Sequence, residues 1–120
     1  MLNEDRIHLH VYGIRSCDSC RSTLKYLQTR NVPHTFHDIR AEGLDEALLA
    51  GWLSSSHGEY LVNRRSTTWR QLSEEQKEAA ETNPLPLLLE HLTLIKRPVI
   101  TDGEAILDVG FSPSCLDDYI

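Results

Sequence analysis

Val11-Tyr12-Gly13-Ile14-Arg15-Ser16-Cys17-Asp18-Ser19-Cys20-Arg21 is the stretch from which the fold reads outward. The alternating run Ile7 to Tyr12 predicts a strand, with Ile7, Leu9 and Val11 on one face and His8 and His10 on the other. Gly13 predicts a tight turn. Cys17 then stands where the turn becomes a helix over residues 17–30, and Leu24 and Leu27 continue the face of Cys20. A thiol at a helix entrance meets unpaired backbone N–H groups and the positive end of the helix dipole. Both favour thiolate over thiol and raise reactivity at neutral pH. Arg15 and Arg21 add positive charge, and Cys20 lies about one helical turn on, within reach of a disulfide with Cys17. The stretch reads as a redox-active thiol site.

The remaining pattern extends this unit. Asn31-Val32-Pro33 ends the helix, because proline cannot continue it. Thr35 to Ile39 predicts a second strand, parallel to the first in a β-α-β unit. A helix follows over residues 43–54, with Leu44, Ala47, Leu48 and Trp52 on one face. Tyr60 to Asn63 predicts another short helix, and Arg64 to Arg70 a loop. Ser73 and Gln76 have capping-box spacing at the start of a helix over residues 73–80. Asn83 caps a further helix with Pro84 in its first turn and Leu85, Leu88, Leu89 and Leu92 on its apolar face. Residues 95–101 read as a turn into a strand, Asp102-Gly103 as a hairpin turn, and residues 104–108 as the returning strand. A short helix closes the chain over residues 114–120. The class is α/β, a mixed sheet of about four strands with helices packed on it.

A chain of 120 residues, 40% hydrophobic and 25% charged, is expected to form a single domain. The net charge of −6 and the lack of a basic run argue against direct nucleic-acid binding. The acidic N-terminus lacks the apolar core of a signal peptide, and no apolar run reaches membrane-spanning length. A cytoplasmic protein is expected, where disulfides are usually transient and catalytic or sensory. Without a coiled-coil pattern, the expected state is a monomer.

A β-α-β unit with C-x-x-C at its first helix, then a β-hairpin begun by Pro98, resembles the thioredoxin fold. Tyr12-Gly13-Ile14 with Cys17, Asn63 to Arg70, Lys96-Arg97-Pro98 and Gly110-Phe111-Ser112 narrow the resemblance. Together they are similar to the ArsC arsenate reductase family, and most to its YffB and Spx/MgsR branch, over residues 7–120. The resemblance implies a helical insertion, at about residues 43–92, between the second and third strands. It implies Cys17 as nucleophile and Pro98 as the cis-proline facing it. It also implies Arg65 and Arg97 as holders of an oxyanion or of glutathione carboxylates, a role suited to a planar guanidinium. Gly13, Arg65, Arg97 and Pro98 form the expected substrate-binding set, and Cys17, Cys20 and Arg97 the catalytic one. No bound cofactor is expected; glutathione, or a donor of the glutaredoxin or thioredoxin type, is the expected reductant. The Spx side of the resemblance adds a redox-switch role for C-x-x-C and RNA polymerase as partner.

The chain departs from arsenate reductases proper at two places. Their arginine near the C-terminal loop is replaced within Asp108-Val109-Gly110-Phe111, and another falls at Asn63. Both departures weigh against arsenate itself. Cys20 is a feature of Spx-like regulators, whereas Thr67-Thr68-Trp69-Arg70 and Gly110-Phe111-Ser112 look like YffB.

Plainer readings stand beside these. C-x-x-C is also half a zinc site, but Cys115 has no partner at ligand spacing, so no metal is assigned. Cys20 also reads as a buried packing residue and Cys115 as filler. Arg65 and Arg97 also read as solvated or salt-bridged arginines. His34 and His37 fall on opposite faces of a strand. His8 and His10 share a face and could meet a metal; the plainer reading is a strand face that is exposed or covered by a helix. Glu74, Glu75, Glu78 and Glu81 read as a solvated helix face.

Overall fold

The structure, a computed structural model, describes residues 7–120. The chain divides into two compact units, one built from residues up to Gly43 together with those from Arg97 onward, the other from Leu44–Lys96.

The first unit holds the sheet. Strand β1 (Leu9–Gly13) pairs in parallel with β2 (His34–Asp38) and antiparallel with β3 (Val99–Thr101), and β3 pairs antiparallel with β4 (Ile106–Val109). The order is β2-β1-β3-β4, the mixed four-stranded sheet expected. Helix α1 (Asp18–Thr29) joins β1 to β2 and buries Cys20, Thr23 and Leu27. Its hydrophobic face and that of the sheet close one core around Leu9, Val11, Leu27, Val32, Ile100, Leu107 and Leu116, with Leu24 and Phe36 against it. Alternation in β1 sends His10 and Tyr12 to the other face, half-buried. Asn31, in the left-handed region at φ 55°, turns the chain out of α1, and the Val32 N–H returns to the Leu27 carbonyl at 3.0 Å.

A short helix that the sequence pattern does not announce follows β2. Asp38 ends β2 and caps α2 (Ile39–Glu42), its Oδ1 accepting from the N–H groups of Arg40 and Ala41 at 3.0 and 3.1 Å. Asp38 Oδ2 also accepts from the Arg15 N–H at 3.3 Å, tying the turn before Cys17 to the end of β2. At the far end of the chain, α7 (Pro113–Leu116) is shorter than the expected closing helix. Tyr26 donates to Asp117, and Arg30 lies 3.8 Å over the Tyr26 ring, fixing the terminal segment to α1.

The second unit is helical. Helix α3 (Glu46–Ser54), capped by Asp45, buries Leu49 and Trp52; Ala47, expected on the buried face, is exposed. The expected helix at Tyr60 to Asn63 is instead a 3-10 turn, Gly58–Tyr60, after which Val62 forms an isolated antiparallel bridge with Ile95. β-branched Val62 and Ile95 suit that extended pairing better than a helix. Gly58 sits where a Cβ would strike the Leu53 carbonyl, so only glycine fits. Part of the expected loop at Arg64 to Arg70 is helix α4 (Thr67–Gln71), started by Ser66, whose Oγ accepts from the Trp69 N–H at 3.1 Å. Helix α5 (Glu74–Thr82) has the full Ser73/Gln76 capping box. Helix α6 (Leu85–Glu90) starts one residue later than expected: Asn83 Oδ1 accepts from the Leu85 N–H at 3.4 Å, and Pro84 occupies the cap position. Its buried residues are Leu87 and Leu88, so the face is turned from the expected one.

No helix among the described residues is long and apolar enough to cross a membrane.

Candidate active site

The site is built where β1 runs into α1. Cys17 is the capping residue of α1, with extended backbone at φ −80° and ψ 126°, and it is partly exposed. The Cys17 N–H donates to the Ile14 carbonyl at 2.9 Å, which closes the turn, and the Arg21 N–H donates back to the Cys17 carbonyl at 3.0 Å. The Cys17 side chain makes no full capping hydrogen bond. Sulfur stands instead among three groups that favour its charge. Burial alone pushes the Cys17 thiol up, but the Cys20 backbone N–H, the Cys20 thiol and the Arg97 guanidinium leave it below the ordinary thiol value. A lowered thiol pKa favours the thiolate, the reactive form of a cysteine.

Cys20 has the opposite character. It is fully buried on α1, and burial first, then the neighbouring Cys17 sulfur, push its thiol up to about 11. The two neighbouring thiols differ in tendency, Cys17 favouring ionisation and Cys20 keeping its proton. All three cysteines are free thiols here.

Gly13 explains how Cys20 can lie so deep. A Cβ on Gly13 would fall well inside van der Waals contact with Cys20 Sγ, and would stand 3.3 Å from Cys20 Cβ and 3.5 Å from Phe36 Cε1. The glycine is the hollow that receives the second thiol.

Arg97 and Pro98 arrive from the other side of the chain, just before β3. The Arg97–Pro98 peptide bond is cis, as the resemblance implies. The Pro98 carbonyl accepts from the Gly110 N–H at 2.8 Å. Gly110 has φ 82°, a left-handed conformation that favours glycine.

Arg65 belongs to the second unit. It is exposed, its N–H donates to Asn63 Oδ1 at 3.0 Å, and it lines an open cleft of about 560 Å³ with Tyr60, Asn63, Arg64 and Lys96. Arg64 in that cleft is paired with Glu81 at 3.2 Å. Cys115 lies half-buried near the chain end, its thiol donating to the Leu107 carbonyl at 3.4 Å, and burial pushes it up, away from reactivity.

Sequence reasoning missed Asp38. Burial opposes its charge, but the N–H groups of Ala41, Arg15 and Arg40, with the Arg15 guanidinium, hold its carboxyl below the usual range. It braces the loop that presents Cys17. An aspartate followed by Ile39-Arg40-Ala41 was the available signal of a cap.

The ArsC family pattern matches residues 12–118. The chain is 44% identical over 104 residues to an uncharacterised protein of Haemophilus influenzae, covering 85% of this chain and 90% of that one. It is 32% identical over 106 residues to the global transcriptional regulator Spx of Enterococcus faecalis, covering 87% and 80%. Among solved structures, a YFFB protein superposes with TM-score 0.84 at 34% identity, covering 92% of this chain and 97% of that one. An arsenate reductase (ArsC) related protein from Brucella melitensis superposes with TM-score 0.72 at 33% identity, covering 94% of each chain. These likenesses span the thiol turn, the helical segment and the closing hairpin, and the chain therefore belongs to the ArsC family, as a thioredoxin-like protein of its YffB and Spx/MgsR branch.

Proposed function

We propose that the protein is a cytoplasmic thiol-dependent oxidoreductase of the ArsC/YffB type, with Cys17 as nucleophile and glutathione as the linked reductant. The observation that carries this reading is the polarity of the thiol pair: Cys17 is held below the ordinary thiol value and Cys20 is raised to about 11. On a mixed disulfide with glutathione, the Cys17 thiolate attacks the glutathione sulfur. The old S–S bond breaks, the substrate thiolate leaves, and Cys17 holds glutathione as a new disulfide. A glutathione thiolate then attacks that bond, giving oxidised glutathione and returning Cys17. Cys20 is the alternative resolving group; its attack leaves a Cys17–Cys20 disulfide that an external dithiol of the thioredoxin or glutaredoxin type must reduce. Arg97 favours the thiolate both before attack and as it departs.

The test is an NADPH-coupled reductase assay with a glutathione mixed disulfide and, in parallel, arsenate. Turnover of the mixed disulfide that disappears in Cys17→Ser is expected. Full turnover in Cys17→Ser would overturn the proposal, and preference for arsenate would replace its substrate.

A second reading has its own observation. The Spx relatives are transcriptional regulators, and this chain has a C-x-x-C with a buried second thiol. In that reading the Cys17–Cys20 disulfide changes the affinity of the protein for RNA polymerase without turnover. Failure of both oxidised and reduced protein to bind polymerase in a pull-down would eliminate it.

A further inference from the structure

The histidines of the first two strands are not used by the thiol chemistry, yet the fold brings them together. His10 of β1 and His37 of β2 lie on the sheet face opposite the core, and their rings face each other with His10 Nδ1 and His37 Nε2 3.0 Å apart. The rings are near-parallel at 22°, with centroids 5.2 Å apart. Tyr12 stacks on His37 at 4.4 Å, and the His8 ring lies 5.2 Å from that of His10. Both histidines are only half-buried, so the face is open to a small ion.

We propose that His10 and His37 form a two-imidazole site for a borderline divalent transition-metal ion of tetragonal preference, Ni²⁺ or Cu²⁺, on the sheet face opposite the core. Two nitrogens bound at about 2.0–2.1 Å in cis positions at a right angle lie about 2.9 Å apart, whereas tetrahedral ligation separates them by about 3.4 Å. The observed 3.0 Å fits the former. In the metal-free protein the two nitrogens share one proton; a metal ion replaces that hydrogen bond by two coordinate bonds after a small ring rotation.

The surroundings of the outer nitrogens support this. His37 Nδ1, the nitrogen away from His10, lies 3.9 Å from Glu42 Oε1. On the other side, the hairpin turn packs close to the outer nitrogen of His10, where a Cβ on Gly103 would stand 3.7 Å from His10 Nε2. A carboxylate near the outer nitrogen of a metal-binding histidine orients the ring and raises its basicity, and Glu42 is so placed for His37. No three His, Cys, Asp or Glu side chains converge on one point among the described residues, so water or a partner ligand completes the coordination. His8 instead engages Thr35 Oγ1 at 2.7 Å.

The test is calorimetric titration with Ni²⁺ in a Cys17→Ser/Cys20→Ser background, where those thiols no longer compete. One site is expected, lost in His10→Ala and in His37→Ala, weakened roughly tenfold in Glu42→Gln, and unchanged in His34→Ala. Because the serine background alters the thiol turn, imidazole ¹H–¹⁵N spectra of the reduced wild type provide a second readout. Substoichiometric Ni²⁺ should broaden His10 and His37 ahead of His34, His57 and His91. Titrations indistinguishable between the background protein, His10→Ala and His37→Ala would overturn the proposal, as would broadening of other histidines first.

Discussion

Replacing Gly13 by alanine tests how the buried thiol is held. The new Cβ would lie well inside contact with Cys20 Sγ, 3.3 Å from Cys20 Cβ and 3.5 Å from Phe36 Cε1. Cys20 is 0% exposed, so its sulfur does not sit at the surface where it could swing into solvent. Overpacking of this kind costs about 1–3 kcal/mol. Glycine-to-alanine stiffening of the unfolded chain returns about 0.4–1 kcal/mol, because Gly13 does not need a positive φ. The net destabilisation of Gly13→Ala is then between about 0 and 2.6 kcal/mol. Cys20→Ala removes the sulfur that the new methyl would strike while leaving Cys20 Cβ. The double variant should therefore be more stable than the sum of the two single effects by about 1–2 kcal/mol. Urea unfolding of the four proteins under reducing conditions measures this coupling. Additivity to within about 0.5 kcal/mol would refute the steric reasoning.

Other expectations concern the neighbours. Arg97→Ala removes a guanidinium that favours the Cys17 thiolate, so the Cys17 pKa should rise and alkylation at pH 7 should slow; an unchanged rate would remove Arg97 from the site. Asp38 has a carboxyl held below its unfolded value, so its contribution to stability is present above about pH 4 and is lost as pH falls through the folded pKa. Asp38→Asn should lower the melting temperature at neutral pH and flatten its fall below pH 4, read by melting curves between pH 2 and pH 7. Ser73→Ala breaks the capping box of α5 and should cost about 1 kcal/mol in urea unfolding, without changing Cys17 reactivity.

The unit that carries the thiols was legible in the sequence because its signals are local. Alternation in Leu9 to Tyr12, the helical spacing of Cys20, Leu24 and Leu27, and Asp102-Gly103 each specify their element within a few residues. The strand boundaries moved by one or two residues because pairing partners, not propensity, decide where a ladder ends. The helical segment was less legible. Thr67-Thr68-Trp69-Arg70 lacks an apolar period, so only the Ser66 cap announces α4. Leu61-Val62 looked helical in isolation, but bridging to Ile95, 33 positions away, holds Val62 extended. In α3 and α6 every apolar residue was visible, yet which face turns inward depends on the neighbouring helix. The site divides likewise. Cys17, Cys20 and Pro98 were marked by spacing and resemblance. The hollow at Gly13 and the facing of His10 and His37 depend on how α1 and β2 lie against β1, which residue spacing does not encode.

The most direct test of the central claim, that Cys17 is an activated thiolate beside a suppressed second thiol, is the pH dependence of alkylation of the reduced protein. Mass spectrometry resolves the two cysteines in one sample. The expected result is labelling of Cys17 that titrates below the ordinary thiol value, with Cys20 resistant until near pH 11. Equal labelling of Cys17 and Cys20 along one curve centred near the ordinary value of about 8.5 would contradict it.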